Sequence, residues 1–383
     1  MKHFIRISVG VVLVILIVRG CSFPASITTS LSSVHDADPS GVFVIPTQTC
    51  GDYFIVQAMI NDAGPFPMML DTGAGTTIIS PHVAKAAGGI SKRITSIQLD
   101  RFSAKGRIPC KVQDIDHISR ALGIEIEGIL AYGVFKGALL TYDYPNQEIR
   151  VGMGGFSDEE LKLQGVVPTS KGDRPYIRAS INSQDFTVLI DTGSSRSLTL
   201  KKLARFEFES PPRPTGARMR LNGLFIVNTA RLDGDMTLGP LTLHRPIINN
   251  SVSVNLVGQV ILRDFIVTFD QVNHRVRFEP PDASSETALD TPIEFPSLYG
   301  TGFAVAPRDD HLIVRRIFEN TPAADSDLRV DDEILSIDGT PIAERGCDHL
   351  EYKPKVGSEL VELVVNRDGE TMTITIVSDV LVH

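Results

Sequence analysis

Asp71 and Asp191 each close an apolar run and open onto the same tripeptide, Asp71-Thr72-Gly73 and Asp191-Thr192-Gly193. Met68-Met69-Leu70 precedes the first and Val188-Leu189-Ile190 the second, and the two acids stand 120 residues apart. An acid at the end of an apolar strand, followed by a glycine that turns without steric cost, is a side chain held in a fixed place. Two such carboxyls brought within about 3 Å cannot both ionise, so they share one proton and offer an acid and a base at once. That chemistry suits the activation of water. The ionised member takes a proton from it while the protonated member polarises the group under attack. Neither a metal nor a covalent intermediate is required, and no cofactor is expected.

A lone Asp-x-Gly is a common turn, so the weight falls on the duplication around it. Upstream, Ile55 to Asn61 aligns with Tyr176 to Asn182, both patterned as half-buried strands. Downstream, Ala138 to Val151 aligns with Phe265 to Phe278, matching Thr141 to Thr268, Asp143 to Asp270 and Asn146 to Asn273 at an offset of 127. The sequence therefore predicts two related lobes of roughly 110 to 120 residues, each able to enclose a modest core.

This doubled pattern resembles the aspartic proteases of the pepsin and retropepsin kind, over about residues 42 to 280. The resemblance implies a mainly β fold of two retropepsin-like β-barrel lobes with pseudo-twofold symmetry, and a polypeptide substrate. It casts Asp71 and Asp191 as the catalytic pair, Thr72 and Thr192 as cross-braces, and Gly73 and Gly193 as the points where backbone amides approach the carboxyls. The family's apolar-apolar-Gly element is present as Leu256-Val257-Gly258, whereas the first lobe has Ile129-Leu130-Ala131, an alanine expected to crowd the crossing beside Asp71. Ser194 has no counterpart hydroxyl at Ala74, so Ser194 is expected to donate to Asp191 and make it the more easily ionised partner. Candidate flap tips are Ser103-Ala104-Lys105-Gly106, with Phe102 in place of a flap tyrosine, and Leu221-Asn222-Gly223-Leu224. The alternative is a non-catalytic peptide-binding or scaffold protein on the same fold.

Beyond a polar linker at residues 281–290, residues 291–383 resemble a PDZ-like α+β domain. Gly300-Thr301-Gly302-Phe303 matches its carboxylate-binding loop, and Asp332-Glu333-Ile334-Leu335-Ser336-Ile337-Asp338-Gly339 its later strand and turn. PDZ domains capture a peptide by adding it as a strand, so a C-terminal peptide is the implied ligand.

At the other end, Lys2, His3 and Arg6 precede an apolar run of 12 residues, Ile7 to Val18, too short to cross a bilayer comfortably and suited to export. Val18-Arg19-Gly20-Cys21 resembles a bacterial lipoprotein box, which implies lipidation of Cys21. An uncleaved anchor and ordinary signal cleavage are the alternatives. On this reading residues 1–21 are a signal or lipoprotein segment, residues 22–41 a tether to the membrane, 42–155 the first lobe and 156–280 the second, all facing the periplasm in the cell envelope. Cys50 and Cys110 fall in the first lobe and either pair with each other or stay as buried thiols. A net charge of -9 without a basic block argues against nucleic-acid binding. G-x-S-x-G, H-E-x-x-H and Walker patterns are missing, and no metal-ligand set is evident.

Overall fold

The two hairpins that deliver the acids are built alike. Tyr53–Ile60 pairs with Ala63–Asp71 through a two-residue turn at Asn61 and Asp62, and Tyr176–Ile181 pairs with Gln184–Ile190 through one at Asn182 and Ser183. All four turn residues have positive φ, between 47° and 66°, the geometry that matches strand twist and that asparagine tolerates well. The computed structural model that shows this describes residues 27–31, 41–220, 223–251, 253–282, 289–308, 310–347 and 357–383. The expected signal segment with Cys21, most of the tether and part of the linker lie outside the described residues.

The chain is mainly β. An eight-stranded sheet runs from Ile27–Leu31 to Gly128–Ala131, and a ten-stranded sheet from Tyr176–Ile181 to Ile293–Glu294. A six-stranded sheet made by both repeats joins them, with Ala138–Asp143 antiparallel to Ile266–Asp270 at its centre. In that pair Thr141 lies opposite Thr268, and their hydroxyls are 3.0 Å apart. These are equivalent residues of the repeat, so a pseudo-twofold axis passes between them. Beside it Tyr142 and its counterpart Phe269 meet edge to face at 5.9 Å, a contact worth about 0.5–1.5 kcal/mol beyond burial. The matched Asp143/Asn146 and Asp270/Asn273 shape turns: each aspartate accepts from its asparagine's backbone amide, at 3.1 and 2.9 Å. One apolar core continues through both lobes, and a smaller cluster of Cys50, Tyr53, Ile55, Met69, Ile118 and Leu122 lies apart from it.

The last domain has its own core, with Val314, Ile334, Val361, Leu363 and Val365 fully or almost fully buried. Its sheet starts at the edge strand Phe303–Arg308 and continues through His311–Ile317, Glu333–Ile337 and Leu360–Arg367 to Glu370–Val377.

Several expectations are corrected. Ile27–Leu31, placed in the tether, is a strand of the first lobe, paired in register with Phe102 to Gly106. Those same residues are therefore mid-sheet and not a flap tip; the turn of that hairpin falls at Asp100 and Arg101, between paired Leu99 and Phe102. Phe102 is fully buried, stacked on Phe135 at 5.1 Å, and is core rather than a flap ring. In the second lobe Arg213–Arg220 and Gly223–Arg231 pair, with Leu221 and Asn222 of the expected tip outside the described residues, and Arg213 Nη2 donates to the carbonyl of Asn320 at 2.6 Å. Residues assigned to the start of the PDZ-like domain also belong elsewhere: Ile293–Glu294 pairs in parallel with Leu241–His244 of the second lobe, because Ile293 and Phe295 pack on the main core. Finally, Cys50 is bonded to Cys347 and not to Cys110. Cys50 faces the smaller cluster, where Cys347 also packs, whereas Cys110 points into the main core as a buried free thiol pushed up to about 11 by burial.

Candidate active site

Parallel pairing places both acids. Asp71 ends its strand opposite Ala131 of Gly128–Ala131, and Ile190 lies opposite Val257 just before Asp191, whose amide donates to the Val257 carbonyl at 2.9 Å. Each acid thus emerges where a parallel neighbour fixes the backbone on the side away from its hairpin partner. The two loops then interlock across the axis. The Thr72 amide donates to Thr192 Oγ1 at 3.0 Å, the Thr192 amide to Thr72 Oγ1 at 3.1 Å, and Thr72 Oγ1 to the Ile190 carbonyl at 2.7 Å. The interlock is not fully symmetric, since Thr192 Oγ1 donates to the hydroxyl of the buried Tyr142 at 3.3 Å.

Both carboxyls are buried, Asp71 at 1% exposure and Asp191 at 8%. Each rests against the glycine of the other lobe. A Cβ on Gly193 would lie 2.5 Å from Cγ of Asp71, and one on Gly73 would lie 2.4 Å from Cγ of Asp191. Asp71 Oδ1 accepts from the amides of Gly73 and Ala74, at 2.7 and 3.2 Å, and Asp191 Oδ1 from Gly193 at 3.1 Å. Asp71 Oδ2 is buried with no protein donor. Burial first, and then the charge of Asp191, hold the Asp71 carboxyl well above the usual carboxylate range, against the pull of the two amides. A proton on Asp71 shared with Asp191 resolves both facts: it satisfies the orphaned oxygen and removes one of two buried like charges.

The expected role of Ser194 is not what forms. Its amide reaches the Asp191 carbonyl at 3.2 Å, while its hydroxyl sits beside the Gly258 backbone. Burial still acts on both carboxyls, and more completely on Asp71, at 1% exposure against 8%. Ala131 fits without the expected crowding: it is buried, and its amide reaches the Thr77 hydroxyl at 3.3 Å, whereas Gly258 bonds the Ser197 carbonyl directly at 2.9 Å. The closer crossing is at Gly258, where a Cβ would stand 2.3 Å from the Arg196 carbonyl oxygen.

Sequence reasoning missed several neighbours. Buried Gln259 donates to the Thr192 carbonyl at 2.7 Å, and Tyr142 closes the floor under the pair. Tyr53 hydrogen-bonds Ser195, and its phenol is pushed up to about 12, chiefly by burial. Arg196 carries a buried Nε without a partner, and desolvation lowers it to about 10. Only the repeat alignment, which puts Tyr53 and Arg174 in equivalent places, could have pointed at any of these.

Residues 56–130 match the family model described as aspartyl protease, a span that contains Asp71 and ends at the strand beside it. Residues 300–377 match that of the PDZ domain. This chain joins an aspartyl protease domain to a PDZ domain. No curated protein matches it. Among solved structures, the PDZ domain of a carboxy-terminal protease from Vibrio cholerae, in complex with peptide, is 28% identical, with 22% of this chain and 96% of that one covered and a TM-score of 0.19. In the PDZ domain here, Gly302 has φ of +86°, and a Cβ on it would lie 2.1 Å from Cβ of Thr321. Thr321 Oγ1 donates to the Phe318 carbonyl at 2.6 Å, and the Ala323 amide to Thr301 at 2.8 Å, fixing the Gly300-Thr301-Gly302-Phe303 loop at the start of the edge strand.

Proposed function

We propose that the chain is an aspartic endopeptidase of the cell envelope, exported and held at the membrane through its amino terminus, with Asp71 and Asp191 as the catalytic pair. The observation that carries this reading is the reciprocal Thr72–Thr192 interlock, which sets each carboxyl against the opposite glycine. A water between the carboxyls loses a proton to ionised Asp191 and attacks the peptide carbonyl carbon, while Asp71 gives its proton to the carbonyl oxygen. The tetrahedral diol collapses as a proton passes to the nitrogen and the C–N bond breaks, leaving a carboxylic acid, an amine and a dyad that again holds one proton.

The PDZ domain takes a carboxylate-ended peptide at the Gly300–Phe303 loop, laying it along the strand Phe303–Arg308. The Cys50–Cys347 bond supports export, since structural disulfides persist in oxidising compartments.

The test is digestion of a mixture of unfolded polypeptides over a range of pH with product identification. Wild-type protein yields defined new termini, and Asp71→Asn and Asp191→Asn yield none. Equal cleavage by all three proteins would overturn the reading in favour of a binding or scaffold role.

A further inference from the structure

The repeat places Tyr53 and Arg174 in equivalent positions, 121 residues apart, at or just before the start of the hairpin that delivers each acid. Each reaches across the axis to the residue four after the opposite lobe's aspartate: Tyr53 to Ser195, and Arg174 to Gly75. A Cβ on Gly75 would lie 3.6 Å from Nε and 3.7 Å from Cδ of Arg174, so the arginine lies along an exposed stretch of the catalytic loop. The two flanks of the dyad therefore differ at these equivalent positions. On one stands a buried, neutral phenol already hydrogen-bonded. On the other stands a half-buried guanidinium that makes no ion pair or side-chain hydrogen bond among the described residues.

Arg174 is also restrained. Its head lies 5.4 Å from the centre of the Tyr176 ring, and its stem runs past Gly75, with Cδ 3.7 Å from where a Cβ there would stand. A guanidinium held this way has already lost much of its rotamer freedom, so pairing with an arriving carboxylate costs less, and its planar fork suits two parallel hydrogen bonds. We infer that Arg174 forms an anion-binding subsite beside the dyad, and that the enzyme favours peptides with an Asp or Glu side chain near the scissile bond on the Gly75 side. This rests on the peptidase reading. The symmetry-related flank has Tyr53 in place of the arginine, and the guanidinium near it, Arg196, has a buried Nε and already donates to Asn249, so the uncommitted guanidinium of Arg174 also gives the cleft a direction.

Two measurements test it. Cleavage-site mapping in a peptide library is expected to show Asp and Glu enriched at one fixed position on one side of the cut. For a matched pair of peptides differing only in Glu or Gln there, the ratio of kcat/KM values falls roughly tenfold in Arg174→Gln, recovers partly in Arg174→Lys, and inverts to favour Gln in Arg174→Glu, the scale of one charge-assisted contact. The second measurement does not need turnover: binding of non-cleavable hydroxyl-containing peptides to Asp191→Asn protein shows the same acidic preference, lost when Arg174→Gln is added. Wild-type cleavage without acidic enrichment, or a preference in either assay that survives Arg174→Gln, overturns the subsite. Absence of any cleavage alongside an Arg174-dependent acidic preference in binding overturns the peptidase reading and leaves the subsite standing.

Discussion

The amides of Thr72 and Thr192 each donate to the other's hydroxyl, so neither catalytic loop is complete without its partner lobe. Replacing Thr192 by valine keeps the volume but removes the acceptor, leaving the buried Thr72 amide unsatisfied at a cost of about 1–3 kcal/mol. The expected outcome is a lowered thermal midpoint together with a fall in kcat, with Thr192→Ser intermediate in both. Unchanged stability in Thr192→Val would show that the interlock does not hold the lobes.

The glycines are predicted to be intolerant for a local reason. In Gly193→Ala the methyl would sit 2.5 Å from Cγ of Asp71, so either the carboxyl or the loop must shift. A displacement on the order of 1 Å lowers kcat by about a hundredfold or more. Far-ultraviolet circular dichroism of the variant should remain that of the wild type while its activity is lost.

The raised pKa of Asp71 makes stability depend on pH in a fixed direction. Below the ordinary carboxylate value both folded and unfolded chains hold the proton, and the contribution is complete. As pH rises through the raised folded value, the native dyad must surrender a proton that it binds more tightly than the unfolded chain does, and stability falls. Asp71→Asn removes this term. Its thermal midpoint should therefore gain on the wild type as pH climbs from acid to neutral, and a gap that is constant with pH would contradict the assignment.

Cys50 and Cys347 close a span of 297 residues between the first lobe and the PDZ domain. Loop-closure entropy assigns such a link about 5–6 kcal/mol. A single proteolytic nick between the two cysteines should leave fragments that migrate together until a reductant is added, and Cys347→Ser should abolish that behaviour. Alkylation of the unreduced native protein should spare Cys110, which is buried with its thiol pushed up to about 11.

The dyad was legible in the sequence because the repeat preserved both the acids and their strands. The symmetric sheet was legible in outline from Thr141/Thr268 and its neighbours, for the same reason. What the sequence hid was set by contacts between distant segments. Cys347 lies outside the repeat, so nothing in the spacing of Cys50 and Cys110 could reveal which thiol faced the small cluster and which the main core. The first-lobe flap was misplaced because Lys105 and Gly106 look like a turn, yet pairing with Ile27–Leu31 on one side and Arg93–Leu99 on the other draws them into the sheet. Tyr53 and Arg174 differ in type, and a repeat read by identity passes over positions where the two lobes have diverged.

The shared proton is tested most directly by the dependence of kcat/KM on pH for the wild-type protein. One protonated and one ionised carboxyl must coexist, so the profile should be bell-shaped, with two apparent pKa values belonging to the pair and the upper one above the ordinary carboxylate range. A profile with a single limb, or measurable turnover in Asp191→Asn, would contradict it.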